Sequence, residues 1–150
     1  MMTHQGRVAL VTGSGRGIGR AIADRLGEAG ASIAYLDHDP SLAQTAADEA
    51  IKHGRKALGI AADIADADAI AEAVKTIEQT LGPIDILVNN AGISPKSGAD
   101  GKRALAWEMD IAEWQRVTDV NLTGAFICAR SVLPGMIARK RGAIVSTSSV

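Results

Sequence analysis

One cysteine, Cys128, stands in a chain of 150 residues, so no disulfide framework exists and a fold must rest on apolar packing. A single thiol fits a reducing compartment such as the cytoplasm. Aromatic residues are scarce, at two Trp, one Tyr and one Phe, while Ala and Gly abound, a balance that favours close helix–sheet packing. An excess of one charge is missing too. The net charge of −1 gives no electrostatic reason to expect nucleic acid or an anionic membrane as partner. No apolar run approaches the length of a membrane span. The segment Met1–Gly6 lacks the apolar stretch of a signal peptide. No repeat, low-complexity tract or linker divides the chain, so residues 1–150 read as one domain, long enough to bury roughly 68–70% of its unfolded surface. His4, His38 and His53 are scattered in loops without metal-ligand spacing, so no metal site is expected.

What is present is a regular alternation. Val8–Val11, Ser32–Leu36, Lys56–Ala62, Ile84–Val88 and Ala143–Ser148 read as five short apolar strands of the kind buried on both faces of a parallel sheet. Helical spacing separates them. The first helix runs from Gly17 through Ile18, Ala21, Ile22 and Leu26 and is closed by Gly30. The second starts at Asp39-Pro40, as N-cap and first helical residue, and stops near His53-Gly54. The third follows Asp66, with Ile70, Ala73, Val74, Ile77 and Leu81 on one face, and ends at Gly82-Pro83. After a loop over Ser94–Ala106, Asp110 and Glu113 have capping-box spacing, and a long helix continues to about Ala138. Pro134 is expected to kink or shorten it. The pattern is α/β: a doubly wound, Rossmann-type parallel sheet of five strands in the order 3-2-1-4-5.

Sheets of this kind bind ligands beyond the carboxyl ends of their strands. The glycine-rich turn Thr12-Gly13-Ser14-Gly15-Arg16-Gly17-Ile18-Gly19 lies there. Glycines let a backbone approach a ligand, and a strand feeding such a turn into a helix N-terminus offers N–H groups to a phosphate. Asp37 ends the second strand, 18 residues beyond Gly19 and near the separation of about 20 expected of an acid that accepts ribose hydroxyls. Asp63, Asn90 and Ser149 sit at the ends of the third, fourth and fifth strands.

These motifs, with Asn89-Asn90-Ala91-Gly92, Val120-Asn121-Leu122 and Gly142–Ser149, resemble in order and spacing the short-chain dehydrogenase/reductase family. The resemblance runs from about Gly6 to Val150. It implies that the turn, Gly13, Ser14, Gly15, Arg16, Gly17, Ile18 and Gly19, holds a cofactor pyrophosphate. It implies that Asp63 and the Ile64 backbone receive adenine, and that Asn90, Ala91 and Gly92 line the ribose. Asn121 corresponds to the active-site asparagine whose backbone helps hold a water in the proton relay. Ser149 corresponds to the serine that hydrogen-bonds the substrate oxygen, with Ser148 as the register alternative. The implied activity is NAD(P)-dependent hydride transfer to or from a carbonyl or secondary alcohol, on a 3-oxoacyl, sugar, polyol or similar substrate. The alternative is a dinucleotide-binding module or inactive fragment.

The chain also departs from the family pattern. The family's catalytic tyrosine and lysine are expected about a dozen residues beyond Ser149, and Tyr35, in the second strand, cannot take that role. The 150 residues therefore read as a fragment or truncated product, expected to be inactive alone. Asp37 favours NAD over NADP. A 2′-phosphate brings roughly two negative charges, and each pair at about 4 Å and an effective dielectric of about 20 costs about 4 kcal/mol. Arg16 argues the other way. The family assembles as homodimers or homotetramers through its long helices. Lys96 and Lys102-Arg103 are expected in a solvated loop, Cys128 in the core, and Trp107 and Trp114 to pack rather than cover the site.

Overall fold

A computed structural model of the chain describes residues 3–96 and 105–148. Strands β1 (Val8–Thr12), β2 (Ser32–Asp37), β3 (Ala57–Ala61), β4 (Ile84–Asn89) and β5 (Ala143–Ser146) alternate with helices α1 (Gly17–Glu28), α2 (Pro40–Lys52) and α3 (Ala67–Thr80). Between β4 and β5 run α4 (Ile111–Thr118), a π-helical segment (Asp119–Gly124) and α5 (Ala125–Ala138). The sheet has five parallel strands in the order β3-β2-β1-β4-β5. The α/β reading, with its strand order, therefore stands. Strand ends move by one or two residues: β3 is shorter at both ends than Lys56–Ala62, and β5 stops at Ser146.

Alternation of side chains across the sheet makes two cores. Val8, Leu10 and Leu36 face Ile70, Val74 and Ile77 of α3 and Cys128, Val132 and Met136 of α5. Ala9, Val11, Ile33 and Tyr35 face Ala23 of α1 and Ala46, Ala47 and Ala50 of α2. Alanine on α2 lets that helix approach until a Cβ on Gly59 of β3 would stand 2.5 Å from the Ala43 carbonyl oxygen. Tyr35 is the one aromatic side chain among the described residues of this second layer. Its hydroxyl donates to Asp24 at 2.7 Å, and the Arg20 guanidinium lies 5.4 Å from its ring centre. Cys128 is fully buried, and burial pushes its thiol up to about 12.

β4 breaks its own alternation. Ile84 belongs to the α3/α5 core while Ile86 belongs to the α1/α2 core, because the β1–β4 register slips between Val8 and Ala9. The skipped residue, Asp85, is buried, and its Oδ2 accepts the Val8 N–H at 3.2 Å. Arg141 closes the arrangement with Nε 3.0 Å from Asp85 Oδ1.

Helix starts follow the expected chemistry with two corrections. Asp39, Asp66 and Asp110 each accept N–H groups of the first turn of α2, α3 and α4. The capping box does not close, because Glu113 pairs with Arg116 instead of reaching back to Asp110. Pro134 does not shorten the last helix, which continues to Ala138. Ile111–Ala138 is thus one helical stretch of 28 residues, long and apolar enough to cross a membrane by length and composition. Glu113, Arg116, Asp119 and Arg130 interrupt it in sequence, which hides that length from a search for apolar runs. Its inner face, through Cys128, Val132 and Met136, lies in the core of the sheet.

Replacing Asp85 by Ala leaves the Val8 N–H buried without an acceptor, a loss of about 1–3 kcal/mol. A urea titration should show the midpoint of Asp85→Ala well below that of the parent chain. An unchanged midpoint would remove the bulge acid from the account of stability.

Candidate functional site

The turn after β1 is held from two sides. Thr12 Oγ1 accepts the N–H groups of Asn90 and Ala91 at 3.0 and 3.1 Å, tying β1 to the end of β4. Asn90 returns the tie, its side-chain amide donating to the carbonyls of Thr12 and Gly13 at 3.2 and 3.3 Å. On the other side the Ser14 N–H donates to Leu36 O at 3.1 Å and the Gly15 N–H to Asp37 Oδ2 at 2.9 Å. Glycine is required by this crowding. A Cβ on Gly13 would stand 2.8 Å from Ala91 Cα, one on Gly15 2.6 Å from Leu42 Cβ, and one on Gly19 would enter the Gly13 carbonyl and the Asn90 amide. Gly17 differs: it faces open space and is required for its φ of 60°.

α1 begins without the side-chain cap that α2, α3 and α4 possess, and without an acid in its first turn. Its first N–H groups and the positive end of its dipole are left for an anion. Arg16 and Ile18 are exposed at this end, Ile18 at 70%. Ser14 is placed otherwise than a phosphate ligand requires. It is fully buried, and its hydroxyl donates to Val11 O at 2.7 Å, so it shapes the turn from beneath.

Asp37 is 6% exposed. Besides the Gly15 N–H on Oδ2, it accepts the Asp39 N–H on Oδ1 at 3.2 Å, and His38 Nδ1 lies 3.0 Å from the same oxygen. His38, expected to be an incidental loop residue, therefore belongs to the site's edge. Asp63 is exposed, with Oδ1 accepting the Ala65 N–H at 2.9 Å. Asp63 and Ala65 form one wall of a groove of about 390 Å³ whose other wall is Ala112, Gln115, Arg116 and Val120 of the long helix. The Ile64 side chain points away from this groove into the core, against Gly124, where a Cβ would stand 2.7 Å from it.

Asn121 lies in the π-helical segment. Its amide pairs with one peptide unit: Oδ1 accepts the Ile93 N–H at 2.8 Å and Nδ2 donates to Ile93 O at 2.9 Å. Gly92 lies alongside, where a Cβ would stand 3.4 Å from Asn121 Oδ1. Three residues on, the Lys96 N–H donates to Glu113, which also pairs in a fork with Arg116, and Arg116 donates to Ser94 O at 3.4 Å. The guanidinium of Arg116, then the Lys96 N–H, hold the Glu113 carboxyl down to about 2. Asn89 organises the other flank. Its carbonyl accepts the Thr147 N–H at 2.9 Å, and its Nδ2 donates to Ala125 O and Ser146 Oγ. Asn89 Oδ1 is buried with no partner among the described residues. Thr12 and Asn89, which open their motifs, and Glu113, which has capping-box spacing from Asp110, thus join the site. Ser148 is exposed just past β5; Ser149, Lys102 and Arg103 lie outside the described residues.

Trp107 and Trp114 do not pack inward. They are exposed at 80% and 61%, and Ile111, Leu122, Phe126 and Ile137 of the long helix are exposed as well.

The sequence pattern described as short chain dehydrogenase matches residues 7–150. A 3-oxoacyl-[acyl-carrier-protein] reductase of Aquifex aeolicus is 41% identical over 147 residues, covering 97% of this chain and 56% of the relative. A solved 3-oxoacyl-[acyl-carrier protein] reductase with bound NAD from Brucella melitensis superposes with a TM-score of 0.90 at 43% identity, covering 99% of this chain and 55% of the other. A metagenomic short-chain oxidoreductase in complex with NADP gives a TM-score of 0.87 at 37% identity, covering 98% and 64%. The chain spans about half the length of the curated relatives it matches.

The low titration of Glu113 gives a pH signature. A carboxylate held below its unfolded value keeps its contribution above that value and loses it as pH falls through the folded one. The Lys96 amide should stay protected from exchange from neutral pH down to about pH 3. In Glu113→Ala its protection should drop about tenfold at neutral pH. Equal exchange in both proteins would show that Glu113 does not hold the segment.

Proposed function

The chain belongs to the short-chain dehydrogenase family, and from that premise we propose that it is the dinucleotide-binding half of an oxidoreductase. The reaction class is hydride transfer between a nicotinamide and the carbon of a carbonyl or secondary alcohol, balanced by a proton on the oxygen. The observation that carries this reading is the uncapped start of α1, reached through a turn too crowded for side chains at Gly13, Gly15 and Gly19. Such an N-terminus suits a pyrophosphate. When bound, the nicotinamide supplies or accepts the hydride.

The chain's own residues bind, orient and guide the proton. In this reading the N–H groups from Arg16 to Gly19 hold the pyrophosphate, while Gly13, Ser14 and Gly15 fix the shape of the turn. Asp37 accepts the adenosine ribose hydroxyls. Asp63 and the groove below α4 receive adenine, with the Ile64 backbone alongside. Asn90, Ala91 and Gly92 line the second ribose. Asn121 spends its side chain on Ile93 and so fixes the π-helical backbone for the proton path. Ser149 donates to the substrate oxygen, where charge develops. Asp37 supports NAD over NADP, for its carboxylate is anchored on both oxygens and cannot swing away from a 2′-phosphate. A cytoplasmic location goes with this reading.

Two of the four aromatic residues, Trp114 and Phe126, are exposed on the long helix, and Trp107 is exposed in the turn before it. Exposed apolar residues of this kind mark an interaction surface, and we read them as the contact between two copies of this chain. Trp114→Glu should convert dimer to monomer in sedimentation; an unaltered mass would place the contact elsewhere.

The cofactor site is tested at Ile18. An acid in the first turn of α1 complements the helix dipole, so Ile18→Asp should leave the urea midpoint unchanged or raise it by about 0.3–1 kcal/mol in stability. The same carboxylate repels a pyrophosphate, so NADH affinity should fall at least about tenfold. Equal NADH binding by parent and variant would refute the site, and tighter NADPH than NADH binding by the parent would refute the preference.

A further inference from the structure

One guanidinium belongs to two parts of the site at once. Arg116 lines the groove on the wall that α4 supplies, across from Asp63 and Ala65. The same side chain holds the segment leaving β4. Its Nε donates to Glu113 Oε2 at 2.9 Å and its Nη2 to Glu113 Oε1 at 2.7 Å, and Nη2 also reaches Ser94 O at 3.4 Å. Glu113 Oε1 in turn accepts the Lys96 N–H at 2.6 Å. One carboxylate oxygen is therefore shared between Arg116 and the backbone of the segment. Elsewhere on the groove wall, Gln115 is committed to Asp119, donating to Oδ1 at 2.8 Å. Among the described residues that line the groove, Arg116 alone bonds segment 93–96. The pair is not sealed from solvent: the Arg116 side chain is 38% exposed and that of Glu113 18%. Water still screens it, and whatever fills the groove changes that screening.

We propose that Arg116 is a positioning residue that couples the nucleotide groove to the segment leaving β4: a base seated in the groove tightens the clamp that Arg116 and Glu113 close on Ser94 and Lys96. The inference rests on the reading that the groove receives adenine. The cause is local. A guanidinium paired edge-on with a carboxylate keeps its faces free to stack on an aromatic ring. A ring laid there removes water from the ion pair, and the pair strengthens as the effective dielectric falls. It also fixes the arginine side chain, so the entropy of holding that chain is lost once for ligand and clamp together. Both effects have the same sign. Coupling of this kind is reciprocal, so loosening the clamp weakens the nucleotide by the factor with which the nucleotide tightens the clamp. Segment 93–96 follows Gly92, which the proposed function sets beside the second ribose. The base end of the cofactor thus helps to order the chain that runs past its other end.

The probe is 5′-AMP, which carries the base and first ribose and lacks the nicotinamide half. Exchange of the Lys96 amide is followed with and without saturating AMP, and the AMP Kd is measured by calorimetry, with the urea midpoint as a check on folding. In the parent chain AMP should slow Lys96 exchange about threefold. Arg116→Lys keeps the charge and loses the fork, so AMP should leave its Lys96 exchange unchanged. Glu113→Gln keeps an acceptor for the Lys96 N–H and removes the charge that holds Arg116, so its AMP Kd should rise about threefold. A purely structural clamp would alter exchange in the free variants and leave the response to AMP intact. Lys96 exchange that AMP does not slow in the parent overturns the proposal without recourse to any variant, and leaves the adenine reading standing. Equal slowing in the parent and Arg116→Lys, or an unchanged Kd in Glu113→Gln, overturns it as well. Failure of AMP to bind the parent overturns the proposal and the adenine reading together.

Discussion

Where β1 ends, three stretches of backbone meet at distances that admit no side chain. The turn from Gly13 to Gly19 touches Ala91 on the β4 side, Leu42 and Asp37 on the β2 side, and itself between Gly19 and the Gly13 carbonyl. Hydrogen bonds hold that approach, through Thr12 with Asn90 and Ala91, and through Gly15 with Asp37. The approach dictates composition, since any Cβ at Gly13, Gly15 or Gly19 must push neighbouring groups apart. It also dictates function, since a chain drawn back this tightly delivers α1 with its first N–H groups uncovered at the carboxyl edge of the sheet.

An uncapped helix start is a local loss of stability that the other helices avoid with Asp39, Asp66 and Asp110. A missing N-cap forfeits about 0.5–2 kcal/mol. The fold recovers it where α1 meets the sheet. Arg20 pairs with Asp24 and Glu49, and Tyr35 donates to Asp24 from within β2. This network fixes the helix from behind, one turn past the residues that face the site, so the front need not be capped by the protein. Stability and binding are in this way assigned to successive turns of the same helix. The exposed front carries only Arg16, Gly17 and Ile18, which make no demand on packing.

Much of this was legible in the chain. Continuous apolar runs that end in Asp37, Asp63 and Asn89-Asn90 gave both the parallel strands and the edge where ligands bind, because buried strands need unbroken hydrophobicity and their polar ends must reach water. The positions that misled are those where a residue's type does not reveal its direction. Ser14 looks like a phosphate ligand and turns its hydroxyl inward to Val11 O. Trp107 and Trp114 look like core and lie outside. The π-helical segment at Asp119–Gly124 has the composition of the α-helix around it and differs only in hydrogen-bond register. The bulge at Asp85 leaves no local mark either, as the slip is a relation between two strands 77 positions apart. Directions and registers are set by partners distant in sequence, which a single pass along the chain does not pair.

The π-helical segment shows how such a register serves the site. A regular α-helix spends each interior carbonyl on the N–H four residues ahead; widening the turn to five leaves backbone groups with altered partners. Here the widened turn sits over Ile64, whose side chain fills the space a Cβ on Gly124 would need. Its Asn121 reaches across to both polar atoms of the Ile93 peptide. Among the described residues the segment leaving β4 has no ladder partner beyond Asn89, so this two-point bond stands in for a strand neighbour. Glu113 and Arg116 extend the same substitution to Ser94 and Lys96. Among the described residues, Ile93, Ser94 and Lys96 are thereby held by the long helix.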